Sequence, residues 1–354
     1  MSNSLTFDMI TVSGEPYERG YQYGQQLREK ITARIRGRLE DGQSMGLDKD
    51  RVMADVMKFW PFIQEYSKDL AREIQGIADG SGSKLDDIVM LNSDPLWTYS
   101  SRSAATMGCT SFAVGGDATR DGATYVGQND DLWPSFSEFA TIIRIESDTT
   151  TCLGLAFSGE FPRIGLNSHG IAVCVNGLYD GVGKPGVGQT VISREILQQE
   201  TIGDALNAIM RADRGHAANT MLGDKNGELY DVEMTTQGYE VMYGEDMLAH
   251  ANHFLARWLA ETDRGRERPG SLHRYNRLNK LLHKSLGRID PEILQQFLAD
   301  HVNYPRSICC HPSAEMPLSR RFKTVASLIM RPEDGLMLLA EGNPCEKPFL
   351  ELQL

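Results

Sequence analysis

The stretch Ala105-Thr106-Met107-Gly108-Cys109-Thr110-Ser111-Phe112 marks the point at which the chain changes character. Long amphipathic helical patterns precede it, and short alternating strands separated by glycine turns follow it. Gly108 has no Cβ, and a thiol at Cys109 can attack the carbonyl carbon behind it and release a new N-terminus. The stretch therefore predicts that Cys109 is both the processing residue and the catalytic nucleophile.

Length and composition indicate a globular protein with ample core. The chain has 354 residues, of which 41% are hydrophobic and 24% are charged, and its formal net charge is -12. This charge argues against nucleic acid or an anionic membrane as the main partner. No apolar run reaches bilayer length, and residues 1–8 lack the features of a signal peptide. We expect a cytoplasmic protein.

The cysteine spacing predicts neither a metal site nor a disulfide framework. The six cysteines are Cys109, Cys152, Cys174, Cys309, Cys310 and Cys345, and they contain no CxxC pair. Cys152 and Cys174 lie in strand-like runs, where buried free thiols are common. His250 and His253 are three residues apart at a strand end without an evident third ligand. We therefore expect no metal and no cofactor.

The first hundred residues are predicted to be helical. A helix opens at Glu15-Pro16 and continues towards Arg38, with Pro16 in the first turn. Gly20 and Gly24 share one face of this helix, so another backbone can approach there. Further helices are predicted over 49–59, 60–77 and 85–91.

From Cys109 onward the hydrophobic period is two residues. Strands are predicted over 110–114, 124–127, 140–146, 151–157, 163–166, 171–176, 220–222, 228–233, 239–243, 247–251, 323–330 and 335–340. Asp121-Gly122 is a hairpin signal between the first two. Helices are predicted over 190–199, 202–211, 271–286 and 291–300, and the arginines between Arg264 and Arg277 are assigned to a solvated loop and helix face. These patterns predict a layered α+β domain.

A new N-terminal cysteine would supply its own base. A free α-amino group has a reference pKa of about 7.7–8.0, close enough to neutral to take the proton of its own thiol. A carboxylate in Gly127-Gln128-Asn129-Asp130-Asp131-Leu132-Trp133 could hold the ammonium, at the end of the strand that pairs with the nucleophile strand. Asn252, at the end of another strand, offers a side-chain N–H for an oxyanion.

An ordered set of segments resembles the acyl-coenzyme A:isopenicillin N acyltransferase family, also called the C45 peptidase family, of the N-terminal nucleophile (Ntn) hydrolases. The segments are Tyr17-Glu18-Arg19-Gly20 through Gly24, Glu73–Ala78, Asp87–Asn92, Gly108-Cys109-Thr110, Gly127-Gln128-Asn129 with Asp131, Gly165–Ser168, Asn252-His253 and Asn303-Tyr304-Pro305. The resemblance covers most of the chain. It implies self-cleavage before the cysteine, a four-layer αββα sandwich and acyl transfer at amide bonds.

The resemblance also implies roles for individual residues. Cys109 matches the family nucleophile, and Gly108 precedes the scissile bond. Asp131 matches the aspartate near the amine of the nucleophile, and Asn252 matches the asparagine of the oxyanion hole. Asn176 lies in a similar asparagine-bearing strand.

One departure from the family pattern concerns the segment around Cys310. Ser307–Pro312 resembles a stretch in which the family typically has arginine where this chain has Cys310. The missing charge could come from Arg306, Arg320 or Arg321, and Cys310 could contact the substrate. His311, beside it, is expected to be structural or adjacent to the substrate rather than a catalytic base.

These observations predict an autoprocessed cysteine amidohydrolase that acts on a small N-acyl or N-aminoacyl amide. The first alternative is acyl-CoA-dependent transfer to an amine, and the second is an uncleaved relative that binds a small ligand. Residues 1–108 would form a helical segment and 109–354 the catalytic chain of one structural domain. The two fragments are expected to stay associated, because amphipathic helices have apolar faces to bury. The sequence leaves open whether the protein is a homo-oligomer.

Overall fold

The computed structural model describes residues 5–44, 48–93, 108–263, 269–315 and 321–354, and within these ranges the strands form two β-sheets. The strands are β1 (Asp8–Ser13), β2 (Gly108–Val114), β3 (Tyr125–Leu132), β4 (Ala140–Glu146), β5 (Thr151–Phe157), β6 (Ile164–Asn167), β7 (Ile171–Gly177), β8 (Ala218–Asp224), β9 (Leu229–Met234), β10 (Tyr239–Tyr243), β11 (Met247–His250), β12 (Lys323–Arg331), β13 (Leu336–Ala340) and β14 (Leu350–Gln353). The eight-stranded sheet has the order β1-β4-β5-β6-β7-β8-β9-β10, and the six-stranded sheet has the order β11-β2-β3-β12-β13-β14.

The helices lie on the outer faces of these sheets. They are α1 (Pro16–Gln26), α2 (Arg28–Ser44), α3 (Lys49–Val56), α4 (Trp60–Tyr66), α5 (Lys68–Ser81), α6 (Leu85–Ser93), α7 (Gln189–Ile196), α8 (Ile202–Met210), α9 (Arg257–Ala260), α10 (Pro269–Lys284) and α11 (Pro291–Leu298). No helix in the described ranges is long and apolar enough to cross a membrane.

The strand β2 shows how the four layers arise. Successive side chains of a strand point to opposite faces of its sheet. Ser111 faces the other sheet and donates to Asn176 Oδ1 of β7 over 2.6 Å, whereas Phe112 and Val114 pack in a separate apolar cluster with residues of α10 and α11. The helices α1 to α8 share their core with the eight-stranded sheet. The predicted α+β sandwich of two sheets between helical layers is confirmed.

The prediction that the segment before Cys109 is purely helical is wrong at its start. Residues Asp8–Ser13 form β1, which pairs in parallel with β4, and Ile10 and Val12 are buried. Alternation of exposed and buried residues in β1 is typical of a strand, but the run is short and the exposed Met9 interrupts its polar outer face. The N-terminal segment therefore contributes an edge strand to the eight-stranded sheet as well as helices.

Most of the other predicted elements are confirmed with small shifts at their ends, but two predicted helices divide. The helix predicted from Glu15 breaks at Leu27, between α1 and α2. The helix predicted over 60–77 breaks at Ser67, whose backbone is extended and whose Oγ caps the start of α5 by accepting from Leu70 N. The strand β14 and the short helix α9 were not predicted.

The close approach predicted at Gly20 and Gly24 is confirmed, because their face of α1 packs against α5. A Cβ on Gly20 would overlap the backbone of Glu73, and a Cβ on Gly76 of α5 would overlap the carbonyl of Tyr17. The two backbones approach more closely than side chains would allow. This contact packs α1 directly against α5.

We expect Gly76→Ala to lower the free energy of unfolding by about 1–3 kcal/mol, because the added methyl group has no space between α1 and α5. Gly37→Ala in α2 is the matched control. Nothing lies within 4 Å of a Cβ at Gly37, so this change should stabilise the protein by up to about 1 kcal/mol through helix propensity. Urea unfolding measures both, and equal effects in the two variants would contradict the packing argument.

Candidate active site

Cys109 is the second residue of β2, and its side chain faces the space between the two sheets. It is buried, with 5% of its surface exposed. Its register partner on β3 is Asp130, and the thiol lies 3.5 Å from Asp130 Oδ1, to which it donates. The chain therefore places a carboxylate directly beside the predicted nucleophile.

Asn252 contacts the backbone of Cys109 through its side-chain oxygen, whereas the sequence indicated a side-chain N–H for an oxyanion. The Cys109 backbone N–H donates to Asn252 Oδ1 over 2.9 Å, while Asn252 Nδ2 donates to Gly177 O over 3.1 Å. The position follows from β11, which pairs with β2 and ends two residues before Asn252. The carboxamide oxygen therefore faces the nitrogen that scission would free, and the carboxamide nitrogen faces the end of β7.

Asp131 lies on the opposite face of β3 from Asp130. The sequence placed both residues at a strand end, but β3 continues through Leu132 and includes them. Successive side chains of a strand point to opposite faces, so those of Asp130 and Asp131 diverge. Asp131 Oδ1 accepts from Thr324 Oγ1 over 2.7 Å. Its Oδ2 is buried and has no hydrogen-bond partner among the described residues, although a Cβ on Gly108 would lie 3.1 Å from that atom. Asp131 therefore adjoins the residue before the predicted scissile bond.

Arg274 is the cation that joins these groups, and the sequence analysis misplaced it. It is 7% exposed, and it donates to Cys109 O and to Thr110 Oγ1. Its Nη2 donates to Asn252 Oδ1 over 2.8 Å, and its Nη1 lies 4.0 Å from Asp131 Oδ2. The assignment of this arginine to a solvated face is therefore wrong.

The spacing of residues along α10 is the sequence signal that would have identified Arg274 as buried. The buried residues of this helix are Ser271, Arg274, Leu278 and Leu282, which recur at the three- to four-residue interval of one helix face. Of the arginines proposed to replace the charge missing at Cys310, Arg321 donates to Ala314 O at the surface, and Arg320 lies outside the described residues. Arg274 supplies that charge from another element.

A second arginine, Arg163, lies behind Asp130. Its Nη1 is 4.0 Å from Asp130 Oδ2, and its Nη2 is 3.0 Å from Glu160 Oε2. Neither Asp130 nor Arg163 was singled out from the sequence, because nothing local distinguishes them from turn or surface charges. The tertiary structure adds both to the site.

Burial dominates the electrostatics of this cluster. Burial, followed by the nearby Asp130 and Asp131, raises the pKa of the Cys109 thiol well above its ordinary value, and Arg274 and Arg163 oppose this only in part. Burial likewise raises the pKa of Asp130, against the effect of Arg163. It raises the pKa of Asp131 to about 7, against the effects of Arg274 and Thr324. The thiol of the intact chain is thus protonated and needs a base.

The other predicted residues divide between two neighbourhoods. Asn176 lies at the site: its Oδ1 accepts from Ser111, and its buried Nδ2 has no partner within the described part of the chain. Cys310 is buried, and its backbone N–H donates to Thr324 Oγ1 over 3.0 Å, one step from Asp131. Arg306 forms an isolated β-bridge with Cys310. His311 points instead towards Cys309 and Cys345.

His250 and His253 have separate partners. His250 Nε2 lies 2.8 Å from Glu233 Oε1, and its Nδ1 lies 2.9 Å from Ala251 O. His253 Nδ1 lies 2.8 Å from Ser271 Oγ. The two imidazoles are therefore engaged in different hydrogen bonds.

A pocket opens beside this cluster. Its lining includes Arg163, Asn176, Gln189, Thr190 and His216. Arg163 lies beside Asp130, which contacts the Cys109 thiol. Asn176 accepts a hydrogen bond from Ser111, which lies two residues after Cys109 on β2. The pocket can accept a small molecule whose polar groups meet Arg163 and Asn176.

Comparison with known proteins agrees with this fold. A solved arginine-to-leucine variant of the conjugated bile acid hydrolase from Clostridium perfringens superposes with a TM-score of 0.51 and 13% identity, over 70% of this chain and 97% of that one. A Caenorhabditis elegans N-acylethanolamine-hydrolyzing acid amidase ortholog matches with a TM-score of 0.46 and 17% identity, over 64% and 93% of the two chains. The sandwich therefore shares its fold with the bile acid hydrolase.

The family is identified by sequence. Residues 118–346 match the family described as acyl-coenzyme A:6-aminopenicillanic acid acyl-transferase, and the chain belongs to this family. The 40 kDa form of acyl-coenzyme A:6-aminopenicillanic-acid-acyltransferase from Emericella nidulans is 28% identical over 314 residues, which cover 85% of this chain and 84% of the relative. The protein is an enzyme of the amidohydrolase and acyltransferase class, as the resemblance implied.

We expect Arg274→Met to lower the free energy of unfolding by about 3–5 kcal/mol, because it leaves buried acceptors and a buried carboxylate without their cation. Arg277→Met, one turn away, is the control. Arg277 pairs with Asp300 at 2.6 Å but is 31% exposed, so its loss should cost about 1 kcal/mol or less. Urea unfolding in the Cys109→Ala background measures both, and similar losses would refute the role of Arg274.

Asp131 should make the stability of the intact chain depend on pH. Its folded pKa of about 7 exceeds the ordinary value of 3.8, so its protonated form favours folding. The contribution is fully present below about pH 4 and is lost as the pH rises to about 7, at about 1.4 kcal/mol per pH unit.

This dependence can be isolated by substitution. In the Cys109→Ala background, Asp131→Asn should gain stability relative to its parent as the pH rises from 4 to 7, with a constant difference above that. Denaturant midpoints across this range provide the measurement. A difference that does not vary with pH would exclude the raised pKa of Asp131.

Proposed function

We propose that the chain cleaves itself between Gly108 and Cys109 and that Cys109, then N-terminal, attacks the amide carbonyl of a small N-acyl or N-aminoacyl compound. The observation that carries this proposal is the convergence on one peptide bond. The Cys109 thiol contacts Asp130, and the Cys109 nitrogen donates to Asn252, whose Oδ1 also accepts from Arg274. A nucleophile, a base and a polar clamp thus surround the bond.

The self-cleavage begins at the thiol. Asp130 Oδ1 takes the proton of Cys109 Sγ as the sulfur adds to the carbonyl carbon of Gly108. The bond from that carbon to the Cys109 nitrogen then breaks, the nitrogen takes up the proton, and Gly108 remains joined to Sγ as a thioester. Water hydrolyses the thioester, which leaves the Gly108 carboxylate, the free thiol and a primary amine.

The freed amine then becomes the base of the catalytic cycle. It takes the thiol proton as Sγ adds to the substrate carbonyl, and it delivers a proton to the leaving amine. Asn252 Oδ1 is already an acceptor at this nitrogen. Asp131, whose Oδ2 has no partner in the described residues, provides a negative charge for the ammonium form. This supports the role expected for Asp131, whereas the acceptor contact of Asn252 Oδ1 differs from the oxyanion donor expected of that residue.

The oxyanion has two candidate donors near the pocket. Asn176 Nδ2 is buried without a partner in the described ranges, and it lies on the face of β7 that Ser111 contacts. Asn252 Nδ2 uses one N–H on Gly177 O and has a second to offer. An unpaired buried donor is costly unless a ligand uses it. This supports a substrate-binding role for Asn176.

The acyl-enzyme can be released to water or to an amine. Hydrolysis remains our first proposal, because the pocket beside the site presents Arg163, Asn176 and Gln189 to a small substrate with polar groups. Acyl-CoA-dependent transfer is the second candidate, favoured by the description of the family and of the Emericella nidulans relative. A non-catalytic binding protein is disfavoured, because Arg274 provides the charge whose absence at Cys310 was its main support.

The two fragments are proposed to remain one structural domain after scission. The strand β1 pairs with β4 across the cleavage point. Glu73 on one side forms a buried ion pair at 3.1 Å with Arg194 on the other, and Phe161 N donates to Asn92 Oδ1 over 2.9 Å. A cytoplasmic location belongs to this proposal, because all six cysteines are free thiols.

Mass analysis of the purified protein tests self-cleavage. We expect fragments of 108 and 246 residues, since 354 less 108 is 246, that co-elute without denaturant and separate in it. Cys109→Ala should remain a single chain, whereas Cys152→Ala, a buried cysteine in β5, should cleave normally. Cleavage that persists in Cys109→Ala would refute the assignment.

Turnover requires a separate readout. The cleaved protein should release amines from a panel of N-acylated amines and amino acids, and a thioester between the acyl group and Cys109 should be trapped by rapid acid quench. The same protein incubated with acyl-CoA and an amine acceptor distinguishes transfer from hydrolysis. A cleaved chain that never forms an acyl adduct with any donor would leave self-processing correct and the enzymatic proposal wrong.

A further inference from the structure

Four metal-ligating side chains meet at a place away from the Cys109 pocket. His301, Cys309, His311 and Cys345 each direct one ligand atom to a common point, and these atoms all lie within 4.8 Å of one another. We call this group the Cys2His2 cluster. His301 follows α11, Cys309 and His311 flank Cys310, and Cys345 lies in the turn between β13 and β14. The fold thus brings Cys345 to three ligands within residues 301–311, which lie at least 34 positions earlier in the sequence.

Four of the six distances between ligand atoms of the Cys2His2 cluster are close to those of a tetrahedral coordination shell. The two Sγ atoms are 3.5 Å apart, and the two Nε2 atoms are 3.1 Å apart. His311 Nε2 lies 3.4 Å from Cys309 Sγ and 3.3 Å from Cys345 Sγ. Zinc–sulfur bonds of about 2.3 Å and zinc–nitrogen bonds of about 2.0–2.1 Å give tetrahedral edges of roughly 3.3–3.8 Å. The four distances match these edges to within a few tenths of an ångström, and the remaining two, from the His301 ring nitrogen to the two sulfur atoms, are within 4.8 Å.

We propose that the Cys2His2 cluster binds one zinc ion through Cys309 Sγ, Cys345 Sγ, His301 Nε2 and His311 Nε2. Two thiolates and two imidazoles form the donor set and the geometry that select zinc over magnesium, calcium or manganese. Four protein ligands leave no open position, so the ion is structural rather than catalytic. This proposal departs from the expectation of no metal, which rested on spacing along the chain.

The surroundings of the cluster provide the outer contacts that zinc ligands need. Asn343 Nδ2 donates to Cys309 Sγ over 3.4 Å, and His311 Nδ1 lies 3.7 Å from Glu346 Oε1. Zinc-bound histidines commonly direct their second nitrogen to a carboxylate, which fixes the ring. His301 and Cys345 are exposed, whereas Cys309 is buried, so an ion can enter from solvent.

The position of the cluster explains what the ion does. Cys310 lies between two ligands, and its backbone N–H bonds to Thr324 Oγ1, which donates to Asp131 Oδ1. Asn343 also donates to Cys310 O over 2.7 Å. Zinc therefore links α11, the segment around Cys310 and the β13–β14 turn. It stabilises the position of Cys310, which contacts Asp131 through Thr324. It acts on the site through positioning alone, and the proposal does not depend on self-cleavage.

A disulfide between Cys309 and Cys345 is the competing use of these thiols. The two Sγ atoms are 3.5 Å apart, whereas a disulfide needs about 2.05 Å. A disulfide would also leave two imidazoles pointing at the same sulfur atoms without a function. The presence of both histidines favours a metal.

Zinc content of untagged protein is the direct test, because a polyhistidine tag would itself bind metal. We expect about one zinc ion per chain by plasma mass spectrometry. X-ray absorption should show two sulfur and two nitrogen neighbours, at about 2.3 Å and about 2.0–2.1 Å. The Cys109→Ala chain should hold the same amount, since the cluster is independent of processing.

Two exposed ligands allow substitution without disturbing the core. Cys345→Ser and His301→Asn should each weaken zinc binding by at least about tenfold, since loss of outer-shell contacts alone costs about 10–100-fold, and both should lower the melting temperature. His283→Asn, at an exposed histidine of α10, and Cys152→Ala are the matched controls and should keep full zinc content. A zinc chelator should lower the melting temperature of the parent but not of Cys345→Ser.

Three results would overturn the proposal. The first is protein purified under reducing conditions that lacks zinc and does not take it up from zinc sulfate. The second is a Cys309–Cys345 disulfide found by peptide mapping in active protein. The third is bound zinc that persists unchanged in both ligand variants.

Discussion

The active centre depends on one buried cation, the guanidinium of Arg274. It donates to Cys109 O, Thr110 Oγ1 and Asn252 Oδ1 and lies 4.0 Å from Asp131. Burial raises the pKa of Cys109, Asp130 and Asp131 and so disfavours their charged forms. The fixed positive charge of the Arg274 guanidinium lowers the cost of burying a carboxylate and the Cys109 sulfur away from water.

The pairing of strands in the sandwich sets where these buried groups lie. Because β2 and β3 pair in register, Cys109 faces Asp130 and Gly108 faces Asp131. The thiol and its neighbouring carboxylate then lie between the sheets, while Asp131 lies on the side of α10 and Thr324. The segment before Cys109 is part of the same architecture through β1 and through the contact of α1 with α5. In our proposal, scission changes the chemistry at Cys109 without removing a layer.

Much of the fold could be predicted because its elements carry local signals. The change of period at Cys109, the glycine face of α1 and the Asp121-Gly122 turn all concern residues near one another in sequence. The site was predictable where a motif or resemblance named a position, as with Cys109, Asp131 and Asn252. The place of Asp130 and Arg163 in the site was not predictable, because it depends on a 4.0 Å contact between β3 and the residue before β6. The edge strand β1 was missed because two buried residues are a weak signal.

The sequence alone determined where helices and strands form and which cysteine stands at the border between them, because periodicity and turn residues act over short distances. The tertiary structure decided which charges became buried. Arg274 belongs to a helix face whose apolar spacing is visible in the sequence, yet only docking of α10 on the six-stranded sheet shows what that face covers. Likewise, His301, Cys309, His311 and Cys345 have no common rhythm along the chain and meet only after folding. Charge and ligation depend on distances in space, which the order of residues does not specify.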